Sequence, residues 1–352
     1  MDTTGCAFTF LVAKLARCKL VAYVHYPTVS TVSYGHPFPM QIYGFTQLFS
    51  IMKQDMLNLV WERRPTYNNA SNVTKSSVAT YIKLVYYFVF AIAYGCIGSF
   101  CDLVMVNSSW TYGHISYLWR FARRRMHILY PPCDTDSLRS FSIENREPWI
   151  LSIGQFRPEK DHALQIKAFA RMREIVKENG RPHDAKLILV GSCRGRGDYD
   201  RVEKLRYLAK SLGVSDSVEF VLNQPFSVLK EYFSKASVGL HTMWNEHFGI
   251  GVVEMMAAGL ITIAHNSGGP KADIVVPLDG EIGSRHRTGF LASSEKEYAD
   301  AMYEALYGLS EKDSRAIRSF AQNSSRRFSD DVFNVSFKKL TLKLLKSHQL
   351  VS

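Results

Sequence analysis

Trp244-Asn245-Glu246-His247-Phe248-Gly249-Ile250-Gly251-Val252-Val253-Glu254-Met255-Met256-Ala257-Ala258-Gly259 decides how this chain folds. The run before it, Ala236-Ser237-Val238-Gly239-Leu240-His241, is short, apolar and branched enough for a buried parallel strand. Residues 252–258 have the pattern of a helix stopped by Gly259, and Leu260-Ile261-Thr262-Ile263-Ala264 reads as the next strand. The unit is therefore βαβ, and residues 246–251 form the turn that feeds a helix N-terminus. Free backbone N–H groups and the helix dipole make such a turn a seat for an anion. Glycine at 249 and 251 lets a phosphate come close to the main chain. Two carboxylates frame the turn, Glu246 on the loop and Glu254 eight residues later on the helix. From these places Glu254 can reach a ribose hydroxyl pair and Glu246 can face a sugar ring. The plainer alternative is a helix with an acidic start and no ligand.

The same alternation extends outward. Strands are predicted over 148–154, 186–191, 218–222 and 288–291, with helices over 163–178, 227–235, 294–308, 311–326 and 330–346. Arg157 and Lys160 follow the strand at 148–154, in Gly154-Gln155-Phe156-Arg157-Pro158-Glu159-Lys160-Asp161-His162. Two cations on a turn before a helix can neutralise a diphosphate; ordinary loop charge is the rival reading. Gly191-Ser192-Cys193-Arg194-Gly195-Arg196-Gly197 lacks the order of a dinucleotide fingerprint and reads as a basic loop. Asp134-Thr135-Asp136 has the spacing of a carboxylate metal motif, but no suitable strand precedes it, so no metal site is expected there.

At 352 residues, with 46% hydrophobic and 12% aromatic content, the chain has material for two α/β domains and is not disordered. A net charge of +11 points to an anionic partner: a nucleotide, a lipid diphosphate or an acidic membrane surface. No nucleic-acid-binding module is recognisable, so nucleic acid is not an expected partner. The cysteines at 6, 18, 96, 101, 133 and 193 have neither zinc spacing nor a compact disulfide pattern, which fits a reducing compartment. On such a chain the Asn-x-Ser/Thr triplets at Asn69, Asn72, Asn107, Asn323 and Asn334 are chance matches.

Residues 6–16 are apolar without the basic start or cleavage site of a signal peptide, and read as a helix. A strand over 19–24 ends at His25, on the carboxyl edge where open α/β sheets place their ligands; a structural histidine is the alternative. Residues 28–74 read as an irregular insertion. Residues 84–100 carry no charge for seventeen positions, just short of the ~20 that a spanning helix needs. Spanning, lying in the membrane interface and packing as a core helix all remain open for them. Arg120, Arg123, Arg124 and Arg125 form a basic cluster that suits either a solvated face or anionic headgroups. Pro131-Pro132 breaks a short strand near 126–130 and opens the link to the second half.

The string Asn245-Glu246-His247-Phe248-Gly249-Ile250, the step from Glu246 to Glu254, and Ala264-His265-Asn266-Ser267-Gly268-Gly269-Pro270 resemble the E-x7-E segment of retaining GT-B glycosyltransferases of family 4. Within that family they look most like the GDP-mannose-dependent α-1,2-mannosyltransferases that extend a dolichol-linked oligosaccharide. The resemblance implies an α/β fold of GT-B type, two Rossmann-like domains facing across a cleft. It implies a partial N-terminal acceptor-side domain over 1–140, a nucleotide-sugar-binding domain over 141–328, and a helix over 329–352 that crosses back. GDP-mannose is the implied donor and a dolichol-diphosphate oligosaccharide the implied acceptor. Glu246, His25 and Lys160 take the catalytic roles; Arg157, Lys160, Phe248, Gly249, Ile250 and Glu254 hold the donor, with no metal or other cofactor. The implied setting is the cytosolic face of the endoplasmic reticulum membrane, whose surface and whose other mannosyltransferases of the pathway are implied partners. Only three strands are expected before Pro131, where a full Rossmann-like half needs about six. Relatives begin with a membrane anchor and a glycine-rich strand-loop-helix, so the chain is expected to be N-terminally truncated. Another family 4 nucleotide-sugar transferase, or a truncated non-catalytic nucleotide-binding form, stays open beside the main reading.

Overall fold

The computed structural model describes residues 9–25, 89–276 and 287–349, apart from Leu11, Ala91 and His183. The insertion expected over 28–74 and the first part of 84–100 lie outside the described residues. The chain divides into two compact units. One gathers the described residues of 9–107, 111–128 and 344–349, the other 108–110 and 129–343.

In the first unit β1 (Val21–Val24), β2 (Leu103–Val106) and β3 (Met126–Ile128) pair in parallel, in that order. All four residues of β2 are buried, as a central parallel strand covered on both faces requires. The described positions of 89–98 are helical, and Tyr94 and Trp119 pack ring against ring at 5.3 Å in this core. Among the described residues no helix is long and apolar enough to cross a membrane.

In the second unit six parallel strands stand in the order β6-β5-β4-β7-β8-β9. They are β4 (Glu147–Ile153), β5 (Lys186–Gly191), β6 (Val218–Leu222), β7 (Ala236–His241), β8 (Ile261–His265) and β9 (Gly289–Ala292). Alternate residues feed two cores. Ile150, Leu187, Leu189 and Val238 pack with the helix His162–Glu178 on one face. Leu151, Ile188 and Val190 pack with the helix Ile250–Ala257 on the other. The direction of winding reverses between β4 and β7. In a doubly wound sheet that is where ligands bind, outside the carboxyl ends of the strands.

Two local differences from the sequence reading have clear causes, and the aspartates at 134 and 136 are accounted for locally. The helix after β7 begins at Ile250, two residues earlier than expected, because Gly249 takes φ 112° and acts as its N-cap. The expected loop over 191–197 already turns into the helix Arg196–Ser211, since Asp198 accepts the Arg194 N–H at 3.0 Å and steadies the first turn. Asp134 is a helix N-cap whose Oδ2 accepts from Ser137 Oγ at 2.6 Å, and Asp136 pairs with Arg139 at 3.1 Å.

Candidate active site

The carboxyl ends of β4 and β7 bring three side chains to one carboxylate oxygen. Lys160, on the turn after β4, places Nζ 2.7 Å from Glu246 Oε2. His241, the last residue of β7, places Nε2 3.3 Å from the same atom. Lys160 Nζ also lies 3.2 Å from Met243 Sδ. Hydrogen bonds at the main chain fix both arms: Thr242 Oγ1 donates to Lys160 O at 2.7 Å, Gln165 Nε2 donates to Thr242 Oγ1 at 2.8 Å, and Tyr298 OH donates to His241 O at 3.0 Å. Burial pushes the Glu246 carboxyl up, but the hydrogen bond from His241 and the charge of Lys160 outweigh it and hold the group well below the usual carboxylate range. Glu246 is therefore ionised at neutral pH, and its Oε1 has no protein partner among the described residues.

The loop carrying Glu246 is clamped by the loop after β8. Gly269 N–H donates to Glu246 O at 2.8 Å, and Asn245 N–H donates to Ser267 Oγ at 2.8 Å. Gly268 sits at φ 62°, and a Cβ there would meet Glu246 O at 2.2 Å, so only glycine closes this clamp. Beyond Glu246, the N–H groups of Phe248, Gly249, Ile250 and Gly251 have no protein acceptor among the described residues. Four consecutive free donors at a helix start are an anion seat. Phe248 supplies only main chain to it, since its ring is buried against Tyr130 at 5.8 Å and Phe328 at 5.4 Å. Ile250 is half exposed beside the free donors.

Glu254 lies on the helix Ile250–Ala257, partly buried, and its carboxyl has no hydrogen bond or ion pair among the described residues. Burial and the nearby Asp134 push its carboxyl up to about 7. A half-sheltered carboxyl without a cation is suited to accept hydroxyl donors. Arg157 stands apart from the Glu246 cluster, with its guanidinium 3.9 Å from Glu159. His25 directly follows β1 in the first unit. Its carbonyl accepts from Asn107 Nδ2 at 2.7 Å, and its ring meets Tyr23 edge to face at 4.7 Å. Partial burial lowers its pKa, so the imidazole is neutral at pH 7. Asn107 is thus buried and engaged, in keeping with a chance glycosylation triplet. Among the described residues no three His, Cys, Asp or Glu side chains group as a metal site.

Residues 134–323 match the family described as Glycosyl transferases group 1. The chain belongs to that family. Residues 1–35 and 38–119 of this group 1 glycosyl transferase match a second description, ALG11 mannosyltransferase N-terminus. A Mus musculus protein named GDP-Man:Man(3)GlcNAc(2)-PP-Dol alpha-1,2-mannosyltransferase is 46% identical over 98% of this chain and 65% of its own length. The Homo sapiens protein of the same name is 44% identical over 98% of this chain and 65% of its own length. The chain thus spans about two thirds of the length of these relatives, 65%. Among solved structures, Anabaena HepE in complex with UDP superimposes with a TM-score of 0.65 at 17% identity, over 96% of this chain and 75% of that one. A Rickettsia africae glycosyltransferase gives 0.60 at 12% identity, over 98% and 96%. The fold class is α/β of GT-B type, as the E-x7-E string suggested.

Of the residues singled out in the sequence, the structure of this group 1 glycosyl transferase joins Lys160 to Glu246, on the loop that leads into the free donors at 248–251. His241 was missed. The sign was available, because it ends a strand at the same kind of edge that drew attention to His25. What hid it was the strand assignment, which treated His241 as the tail of an apolar run.

Proposed function

We propose that this chain carries the donor-binding machinery of a retaining α-1,2-mannosyltransferase that moves mannose from GDP-mannose to a dolichol-diphosphate oligosaccharide. The observation that carries the reading is the juxtaposition of Lys160, ionised Glu246 and four free N–H groups at the switch point of the sheet. The names of the mouse and human relatives supply the donor and acceptor classes.

On this reading the free N–H groups and Lys160 take the donor diphosphate, and their hold strengthens as the leaving group gains charge. Glu246 turns its unpartnered Oε1 to the mannose ring, orienting it and stabilising the positive charge that develops at its reacting carbon. Glu254 accepts from the ribose hydroxyls, which do not change during transfer. Arg157 adds charge to the diphosphate site. The departing phosphate assists the acceptor on the face it leaves, which accounts for retention. The cations and main-chain donors balance the diphosphate without a metal. The chain works at the cytosolic face of the endoplasmic reticulum membrane, touching lipid through residues 84–100 and the arginine turn, in company with other mannosyltransferases of the pathway.

A donor screen with GDP-mannose, UDP-N-acetylglucosamine and UDP-glucose tests the reading. Selective binding and turnover of GDP-mannose, unchanged by EDTA, is the expected result. Preference for a uridine donor, or activity lost to EDTA and restored by Mn²⁺, overturns the part concerned.

A further inference from the structure

We propose that His241 is a positioning residue that keeps Glu246 ionised and correctly turned once a donor has drawn Lys160 away. The inference rests on the reading of Glu246 as the group that faces the transferred sugar. Glu246 Oε2 is shared by Lys160 Nζ at 2.7 Å and His241 Nε2 at 3.3 Å, while Oε1 is free of protein partners among the described residues. An ionised carboxylate only accepts, so Nε2 carries the hydrogen in this contact. Lys160 cannot serve a diphosphate and Glu246 at full strength together. When the diphosphate takes Lys160, the carboxylate would be left buried and unpaired, and it would then recover a proton. His241 prevents this because it cannot follow the phosphate. Its ring is buried, with 6% exposure, and its carbonyl is tied to the buried Tyr298. The lone donor at Nε2 thus pins one carboxylate oxygen and leaves the other aimed outward.

The charged and titratable groups around Glu246 come from three elements. They are Lys160 on the turn after β4, His241 at the end of β7, and His265 at the end of β8, which faces His241. His265 Nδ1 is engaged with Ser267 Oγ at 2.8 Å, and burial lowers its pKa, so it adds no charge at neutral pH. Nothing else among the described residues donates to the Glu246 side chain.

The test compares the wild type with His241→Phe, which keeps a ring of similar size, and His241→Gln, whose amide N–H reaches toward the Nε2 position. The Glu246 carboxyl is followed by carbon NMR in the presence of saturating GDP, with Glu246→Gln assigning the signal. The affinity ratio of GDP-mannose to GDP is measured on the same proteins by calorimetry. In the wild type and His241→Gln, Glu246 should stay ionised through the neutral range and GDP-mannose should keep its advantage. In His241→Phe the carboxyl should titrate at least about one pH unit higher, and the advantage should fall about tenfold while GDP affinity holds. A carboxyl in His241→Phe that titrates like the wild type overturns the proposal, as does failure of His241→Gln to restore it in folded protein. A shifted titration without any preference for GDP-mannose in the wild type supports the positioning role and instead overturns the assignment of Glu246 to the sugar.

Discussion

Lys160 and Glu246 occupy each other: the ammonium stands 2.7 Å from Oε2, and both side chains are largely sheltered from water. Each is thereby held in place, and neither is fully available to a ligand. On the proposed function, a nucleoside diphosphate entering the helix start would compete with Glu246 for Lys160, and the ion pair would set a threshold for binding.

Replacing the two partners should therefore have opposite effects on nucleotide affinity. Lys160→Ala removes a charge that meets the diphosphate before and during departure, and should lower kcat/KM by about 2–4 kcal/mol. Glu246→Gln releases Lys160 and removes a negative charge beside the phosphates, so GDP should bind a few-fold tighter while turnover falls. Calorimetry with GDP beside steady-state kinetics reads both. Weaker GDP binding by Glu246→Gln would remove the competition inferred from the ion pair.

Much of this site was legible before any coordinates. The strand at Ala236–His241 and the glycine stop at 259 carry strong local signals, whereas the clamp at Gly268 depends on a close approach to Glu246 O that only the fold reveals. The pairing of Lys160 with Glu246 was not legible, because β4 and β7 are neighbours in space but separated in sequence by β5 and β6. Phe248 shows that a motif position does not say which part of a residue faces the site. Its place in the motif suggested ligand contact, whereas the ring fills the core and only the main chain faces the site.

Arg146 shows how the far end of the binding helix is held. Its guanidinium donates to Phe233 O at 2.8 Å, Ala236 O at 2.7 Å, Ser142 O and Ala258 O. Ala258 and Ala236 are the C-caps of Ile250–Ala257 and Phe226–Lys235, so one cation closes two helix ends. Burial, with Arg318 nearby, lowers its pKa to about 10, which leaves it charged at neutral pH. Arg146→Met should cost on the order of 3 kcal/mol, because several buried carbonyls lose their donor. Arg146→Lys should recover little, since a single ammonium cannot span these carbonyls. Urea unfolding midpoints decide this; a wild-type midpoint for Arg146→Met would refute the clamp.

Phe121 is 83% exposed on the 3-10 turn Arg120–Arg125. Arg125 Nη2 is spent on Ser99 O and Phe121 O, both at 2.9 Å, while Arg120, Arg123 and Arg124 are exposed on the same turn. An exposed apolar side chain on a turn with three exposed arginines suits an anionic bilayer surface. Phe121→Ser should weaken partitioning to phosphatidylserine vesicles by about tenfold to a hundredfold, from the ~1.5–3 kcal/mol that burying a phenylalanine gains. Raised salt should weaken what remains. Equal vesicle binding by wild type and variant in a flotation assay would take Phe121 out of the contact.

Glu254 should make nucleotide binding depend on pH across neutrality. Burial and Asp134 raise its carboxyl to about 7, above its ordinary value, so the folded protein binds a proton there that the unfolded chain has already lost. The stability this contributes is fully present below the unfolded value and is lost as pH rises through the folded one. Glu254→Gln carries no such penalty. It should therefore raise Tm relative to the wild type at about pH 8 by an amount that vanishes near pH 4, worth on the order of 2 kcal/mol at most. Binding has the opposite sense. An ionised carboxylate accepts ribose hydroxyls more strongly than a neutral acid, so the wild type should gain GDP affinity over Glu254→Gln as pH rises from about 6 to about 8. Titration of the GDP phosphates is common to both proteins and cancels in the ratio. Calorimetry at the two pH values reads that ratio directly, and a ratio that stays flat while Tm behaves as expected would leave Glu254 a strained core carboxyl with no part in the ribose site.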